Sequence, residues 1–113
     1  MPDLGEIWLA DLSPPHGTKP GKTRPGSRLA GASLAQHPST YIIPLTTKLV
    51  NDAEPLKMRI PAAGKLPRDS DLLMDQMRAI DNRRLIRGPL HRLPPATMKR
   101  EVIALLEILG MQG

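Results

Sequence analysis

The sequence predicts a mainly β fold with one C-terminal α-helix, and two patterns support this prediction. Short apolar runs, separated by proline and glycine, recur through the first two thirds of the chain, whereas helical periodicity is clear only near the C-terminus. The chain has 113 residues and no internal repeat. We therefore expect one domain, residues 1–113, built as a twisted sheet or partly open barrel with a helix packed on it.

Four segments have the character of strands. Residues 5–12 form a near-continuous apolar run that ends at Ser13-Pro14-Pro15, and Leu72-Leu73-Met74 form a shorter one. Residues 40–46 also predict a strand, in which Pro44 indicates an edge or a bulge. The clearest alternation is in residues 56–60, where we expect three side chains to point inward: Leu56, Met58 and Ile60.

The helix is predicted over residues 94–109, with Pro94-Pro95 at its start and Gly110 as its stop signal. Its expected apolar stripe comprises Met98, Val102, Leu105 and Leu109. Before it, we expect a short helical turn at residues 81–85 and a break at Gly88-Pro89.

Residues 26–36, GSRLAGASLAQ, fit neither a strand nor a helix. Leu29 and Leu34 are their only large apolar side chains, and glycine adds to the entropy cost of ordering. We therefore expect a disrupted strand here. We also expect that an apolar strand grafted after Pro25 would make the chain more stable.

Composition narrows the classes of function. The net charge of +5 favours a phosphate-bearing partner, and no run is long enough to span a membrane. No cysteine is present, the three histidines have no metal-ligand spacing, and MPDLGEIW has no signal-peptide character, so we expect a cytoplasmic protein without a metal or cofactor. Residues 17–23, GTKPGKT, have one residue too few between the glycines for a phosphate-binding P-loop. We interpret them as a basic loop.

The most informative stretch is residues 69–85, DSDLLMDQMRAIDNRRL, where polar side chains follow a buried run. If the strand continues, Asp75 and Met77 share one face, and the carboxylate needs a partner. The simpler interpretation is an ion-pair cluster that closes the strand. The sharper one is a site of cations, hydroxyls and one carboxylate, which suits RNA because RNA supplies its own 2′-hydroxyl nucleophile. That candidate site comprises Arg24, Thr46, Asp75, Gln76 and Arg78.

Four motifs give this interpretation a specific direction. GEIWLADL (5–12), GKTRP (21–25), IIPLTTKL (42–49) and DSDLLMDQMRAIDNRRL (69–85) occur in an order and spacing that resemble the MazF/PemK family of type II toxin–antitoxin toxins. The resemblance implies an SH3-like barrel, a homodimer, and metal-independent cleavage of single-stranded mRNA at short sequences. It also implies a cognate antitoxin whose flexible tail covers the RNA groove, and DNA binding through the antitoxin complex.

Residue by residue, the resemblance assigns Arg24, Thr46 and Asp75 as catalytic residues. It departs at Leu73, where some members have arginine, and at His16, to which we assign no role. We expect six further residues to contact RNA: Lys19, Lys22, Thr47, Lys48, Gln76 and Arg78.

Besides the active endoribonuclease toxin, two further interpretations remain at this point. The irregular segment 26–36 is also compatible with a catalytically impaired homologue that retains antitoxin or RNA binding. A basic SH3-like RNA-binding module is the third interpretation, and it would need neither Thr46 nor Asp75.

Overall fold

The computed structural model describes residues 5–12, 23–29 and 37–111. Their elements are seven strands, two short 3-10 helices (Met74–Gln76 and Asn82–Arg84) and one α-helix, α1 (Pro95–Ile108). The strands are β1 (Glu6–Asp11), β2 (Thr23–Leu29), β3 (Ser39–Thr46), β4 (Lys57–Ile60), β5 (Ser70–Leu73), β6 (Arg78–Asp81) and β7 (Leu85–Arg92).

All strand pairs are antiparallel, in the order β4-β5-β3-β2-β1-β7, with β6 also paired to β3. The predicted mainly β architecture with a C-terminal helix is confirmed, as a barrel-like sheet that is not closed. Strand β3 lies in its interior, so of the two alternatives predicted for Pro44 the edge strand is wrong, and the bulge stays a prediction. One half of β3 pairs with β6 up to Ile42, and its last two residues, from Leu45, pair with β5. Pro44 lies in the gap between these two partners.

Strand β2 corrects the most specific expectation from the sequence. Residues 26–29 are strand and pair with β3, and residues 26 and 27 also pair with β1. The prediction of a disrupted strand is therefore wrong for them; residues 30–36 lie outside the described part. The small residues have a packing reason. A β-carbon on Gly26 would lie 2.5 Å from Ile42 side-chain atoms, and Ser27 is fully buried with its hydroxyl hydrogen-bonded to Glu101. The strand is stabilised by close approach and by a polar contact, which an apolar pattern does not reveal.

The main core lies between the sheet and α1 and is aliphatic. The predicted inward positions Met58 and Ile60 are buried, which confirms them. Leu56 is 50% exposed, so its predicted inward position is wrong, because it belongs to the turn before β4. The other buried residues of this core are Ile7, Ile43, Leu45, Leu66, Leu72, Met74, Leu90, Leu93 and Ala104.

Helix α1 agrees with its predicted bounds to within one residue, but its predicted stripe is only half right. Met98 and Leu105 pack on the core, whereas Val102 and Leu109 are exposed. The face toward the sheet is completed instead by Glu101, Ala104 and Ile108. The buried face is therefore rotated relative to the predicted one, and it includes an acid.

The predicted helical turn before β7 is confirmed as the 3-10 helix Asn82–Arg84. The predicted break at Gly88-Pro89 is wrong, because β7 runs through both residues. Strand β7 lies at the end of the strand order, where proline is tolerated, and the Trp8 ring packs against Gly88. In the described ranges, no helix is long and apolar enough to cross a membrane.

Candidate active site

A surface cavity of about 420 Å³ brings together three of the predicted site residues. It is lined by Leu12, Arg24, Pro44, Gln76 and Arg78. These residues come from four separate parts of the sequence, and the sheet order places them side by side. The cavity is therefore the best candidate for the site.

The sheet topology explains why Pro44 lies in the wall of this cavity. Strands β5 and β6 both pair with β3, and the 3-10 helix Met74–Gln76 carries the chain from one to the other. Met74 anchors this corner, because its side chain is buried and its N–H donates to the Leu56 carbonyl at 2.9 Å. Gln76 and Arg78 project from the corner above the Pro44 region. Proline fits there because this part of β3 has no strand partner on that side.

Arg24 reaches the cavity from the opposite side. It lies near the start of β2, opposite Ala10 of β1. The pairing of β2 with β3 begins only at Gly26, so β1 is the only strand partner of Arg24 among the described strands. The position of Arg24 therefore depends on β1 and on the three residues that follow it.

Asp75 and Thr46 are not among the residues that line the cavity, although Asp75 precedes Gln76 directly and Thr46 lies two residues after Pro44. Asp75 belongs to the 3-10 helix and is exposed, so the prediction that it continues a buried strand on one face with Met77 is wrong. Thr46 ends β3, and its Oγ1 accepts a hydrogen bond from the Lys48 N–H at 3.1 Å. That bond fixes the start of the next loop, and the hydroxyl proton remains available to a bound molecule.

The cavity is cationic. In the described part of the chain, the guanidinium groups of Arg24 and Arg78 form no ion pair or hydrogen bond with another side chain. Thr47 and Lys48 are exposed just beyond β3. Two predicted contacts, Lys19 and Lys22, fall outside the described residues. Two uncompensated guanidinium groups at one cavity are suited to phosphate oxygens.

The simpler interpretation of residues 69–85 was an ion-pair cluster that closes the strand. Such an ion pair exists, but its carboxylate is that of Asp71. Its carboxylate is 1% exposed and accepts hydrogen bonds from Arg59 Nε (2.6 Å) and the Val50 N–H (2.9 Å). Burial alone would raise the pKa of Asp71, but the Arg59 and Val50 hydrogen bonds and the nearby positive charges outweigh it and lower that pKa. Asp71 is therefore a structural carboxylate that fixes the loop after β3.

An exposed ion pair lies at the other end of the same segment. Arg83 donates to both carboxylate oxygens of Asp81, at 3.1 and 3.0 Å, and this contact lowers the pKa of Asp81. Within residues 5–12, 23–29 and 37–111, no group of three or more His, Asp or Glu side chains is placed to hold a metal ion. The chemistry of the cavity is therefore that of guanidinium, amide and nearby hydroxyl groups.

Comparison with known proteins agrees with this geometry. Residues 3–109 match the family model described as PemK-like, MazF-like toxin of type II toxin–antitoxin system. The endoribonuclease MazF of Staphylococcus saprophyticus is 34% identical over 83 residues, which cover 72% of this chain and 69% of that protein.

Solved structures show the same fold. A MazE–MazF structure from Deinococcus radiodurans has a TM-score of 0.78 at 23% identity, covering 98% of this chain and 97% of that one. The Mycobacterium tuberculosis toxin MazF-mt6 has a TM-score of 0.77 at 19% identity, covering 96% and 99%.

Fold and site thus define a small barrel-like toxin with a cation-lined cavity. The chain belongs to the PemK-like, MazF-like toxins of type II toxin–antitoxin systems. The predicted class, an endoribonuclease toxin, is confirmed at the level of the family. Sequence reasoning missed Leu12 and Pro44 as cavity residues, because apolar side chains carry no chemical signal until the fold places them beside the arginines.

Proposed function

We propose that this chain cleaves single-stranded mRNA at short specific sequences, without a metal ion, at the cavity that contains Arg24 and Arg78. The observation that carries the proposal is the convergence of Arg24, Arg78 and Gln76 on one cavity, where neither guanidinium group has a side-chain partner among the described residues. A phosphodiester that enters the cavity meets positive charge on two sides. None of the residues that line the cavity is acidic.

In this mechanism the RNA 2′-hydroxyl gives up its proton and its oxygen attacks the adjacent phosphorus. The bond from phosphorus to the 5′-oxygen breaks, and that oxygen takes up a proton from solvent. The products are a 2′,3′-cyclic phosphate and a 5′-hydroxyl. Arg24 stabilises the charge that develops on the phosphoryl oxygens, and Arg78 binds the phosphate from the opposite side. Asp75 accepts a proton or orients an arginine, and Thr46 positions the substrate through its hydroxyl.

Base recognition is assigned to Gln76 and to the start of the β3–β4 loop. A glutamine amide offers both a donor and an acceptor, as the edge of an unpaired base requires. Gln76 is exposed at the cavity, and Thr47 and Lys48 are exposed beyond β3. Lys19 and Lys22 are proposed to contact the RNA backbone.

The proposed partners are a second copy of this chain and a cognate antitoxin. Helix α1 has an exposed apolar stripe that includes Val102, Leu106 and Leu109, and burial of such a stripe in a homodimer is favourable. One of the similar solved structures is a MazE–MazF structure, and another is an endoribonuclease in complex with its cognate antitoxin. We propose that the antitoxin neutralises this toxin by covering the cavity with a flexible tail, that the complex binds DNA through the antitoxin, and that the toxin acts in the cytoplasm.

The decisive experiment incubates the purified protein with a mixed-sequence single-stranded RNA, with and without EDTA, and identifies the new ends. We expect cleavage at a short common sequence, unchanged by the chelator, with cyclic phosphate and 5′-hydroxyl ends. Loss of cleavage in EDTA that magnesium restores would refute the metal-independent mechanism.

The same experiment, with RNA binding measured alongside, separates an active endoribonuclease from both alternatives. Retained RNA binding with no cleavage at any sequence would identify a binding module or an impaired homologue. The impaired homologue was favoured by the supposed loss of the strand after Pro25. Since β2 is formed and residues 26–29 all pair with β3, that argument no longer supports it.

A further inference from the structure

The contact between Ser27 and Glu101 is unusual for a small domain. Both residues are fully buried, and the Ser27 hydroxyl donates to Glu101 Oε1 at 2.9 Å. The second carboxylate oxygen, Oε2, is buried and has no hydrogen-bond partner among the described residues. An acid in this environment is costly to keep as an anion, so its burial calls for an explanation.

We propose that Glu101, in its protonated form, is a positioning residue for Arg24, and that loss of its proton loosens the packing of α1 against β2. The proposal rests on the proposed function, because it assigns a catalytic role to Arg24. Glu101 does not touch the RNA in this account. It acts through Ser27 and the short strand segment that joins Ser27 to Arg24.

The geometry supports an effect at this distance. Ser27 lies three residues after Arg24 on β2, so the two side chains leave opposite faces of the strand. Among the described strands Arg24 is paired only to β1, and the β2–β3 pairing begins at Gly26. Gly26 and Ser27 are the first residues of β2 that pair with both β1 and β3. The hydrogen bond from Ser27 to α1 therefore fixes β2 at this point, on the face opposite to the Arg24 side chain.

The surroundings of Glu101 favour the protonated form. Burial raises its pKa from 4.5 to about 7, and the hydrogen bond from Ser27 opposes this rise only in part. The charged residues of the packed strands are engaged elsewhere: Glu6 of β1 accepts from Arg92 of β7 at 2.6 Å and lies 3.9 Å from Arg28 of β2.

On α1 itself, Glu107 and Arg100 are exposed, and Arg100 pairs with Glu54 at 2.6 Å. Among the described residues, Ser27 is the one hydrogen-bond partner of the Glu101 carboxyl group, which forms no ion pair with them. No cation in the described part therefore stabilises the Glu101 anion.

The sign of the effect follows from the raised pKa. Between about pH 4.5 and about pH 7 the folded protein holds a proton that the unfolded chain releases, so stability falls as the pH rises through this window. Above it, the folded protein carries a buried anion. Because Arg24 acts on the transition state, we expect the loosened form to lose kcat with little change in KM.

The test measures kcat and KM for RNA cleavage, and the melting temperature, from about pH 5.5 to about pH 8.5. Wild type is compared with Glu101→Gln, which keeps an oxygen acceptor for Ser27 but cannot ionise. Glu107→Gln is the matched control, since it removes the same charge from an exposed position of the same helix. We expect the kcat of Glu101→Gln relative to wild type to rise by about tenfold or more across this range. The Glu107→Gln ratio should stay constant.

Ser27→Ala provides a second variant that keeps the acid. Because the Ser27 hydrogen bond lowers the Glu101 pKa, its removal should move the alkaline loss of stability to higher pH. Parallel pH profiles for wild type, Glu101→Gln and Ser27→Ala would overturn the positioning role. Absence of RNA cleavage by wild type at every pH would instead reject the proposed function, while the melting profiles would still report whether Glu101 titrates.

Discussion

Gly26 lies so close to Ile42 that a β-carbon at position 26 would come within 2.5 Å of Ile42 Cγ1 and Cδ1. Gly26 belongs to β2, and Ile42 is a fully buried residue of the neighbouring strand β3. The absence of a side chain at position 26 is therefore a requirement of packing between the two strands. This contact reverses the expectation that an apolar graft after Pro25 would stabilise the chain.

The first prediction is that Gly26→Val destabilises the protein by about 1–3 kcal/mol or more, because overpacking a filled core forces the surrounding atoms apart. Urea unfolding followed by circular dichroism measures the change. Ala79→Val is the control. Ala79 is an exposed position on β6, which pairs with β3, and it should tolerate the larger side chain. Equal stability of the two variants would contradict the packing argument.

The second prediction concerns the buried carboxylate of Asp71. Asp71→Asn should lower the free energy of unfolding at neutral pH by about 1–3 kcal/mol, because the ionic hydrogen bond to Arg59 is lost. Since the folded-state pKa of Asp71 is below its ordinary value of 3.8, wild type keeps this stability above that pH and loses it as the pH falls further.

The variant should show a weaker loss in acid than wild type. The measurement is a series of thermal melts from neutral to acid pH. Asp52→Asn is the matched control, because Asp52 is exposed and its positive φ of 55° is well tolerated by asparagine. An acid limb that is the same in Asp71→Asn and wild type would show that Asp71 does not contribute to it.

The third prediction addresses the apolar stripe on α1. Val102→Glu should weaken self-association by about tenfold or more, because it places a charge on an apolar contact. Glutamate has the higher helix propensity, so the fold of the monomer should be preserved. Sedimentation velocity over a range of concentrations measures the change.

Ile86→Glu tests whether the effect belongs to the helix. Ile86 is 55% exposed but lies on β7, away from the α1 stripe. The Ile86→Glu variant should therefore self-associate as strongly as wild type. Unchanged association of Val102→Glu would exclude this face as the dimer contact.

The fourth prediction separates positioning from charge stabilisation. Thr46→Ala should slow RNA cleavage by about tenfold, less than the loss expected for an arginine of the cavity, because Thr46 does not line the cavity. Thr46→Ser should retain most activity, since it keeps the hydroxyl that accepts from the Lys48 N–H. Rates of cleavage of one short RNA by the three proteins provide the test. A serine variant as slow as the alanine variant would mean that the methyl group is the part that matters.

The sequence was sufficient for the architecture, and three of the residues that it grouped line one cavity. Alternation in the sequence predicted that Met58 and Ile60 are buried, and they are. The family resemblance assigned Arg24, Gln76 and Arg78 to one candidate site, and these three residues line one cavity. These successes rest on patterns that are local or that recur throughout a family.

The failures have a common physical cause, which is that the deciding contact is distant in sequence. Strand β2 lacks an apolar pattern because Gly26 makes room for Ile42 and Ser27 binds Glu101, 74 residues away. The buried carboxylate is Asp71 and not Asp75, because the chain turns into a 3-10 helix after Leu73. A signal did exist for Glu101, which lies three residues after Met98 and four before Leu105 on the same helical face.

The measurement that tests the central claim most directly is the rate of RNA cleavage by Arg24→Ala. Arg68→Ala serves as the control, because it removes the same charge from an exposed residue that does not line the cavity. Arg24 stabilises the transition state in this account, so we expect Arg24→Ala to slow cleavage by about 10²–10³-fold, with Arg68→Ala close to wild type and both variants folded. Cleavage by a folded Arg24→Ala at the wild-type rate would contradict the assignment of the cavity as the active site.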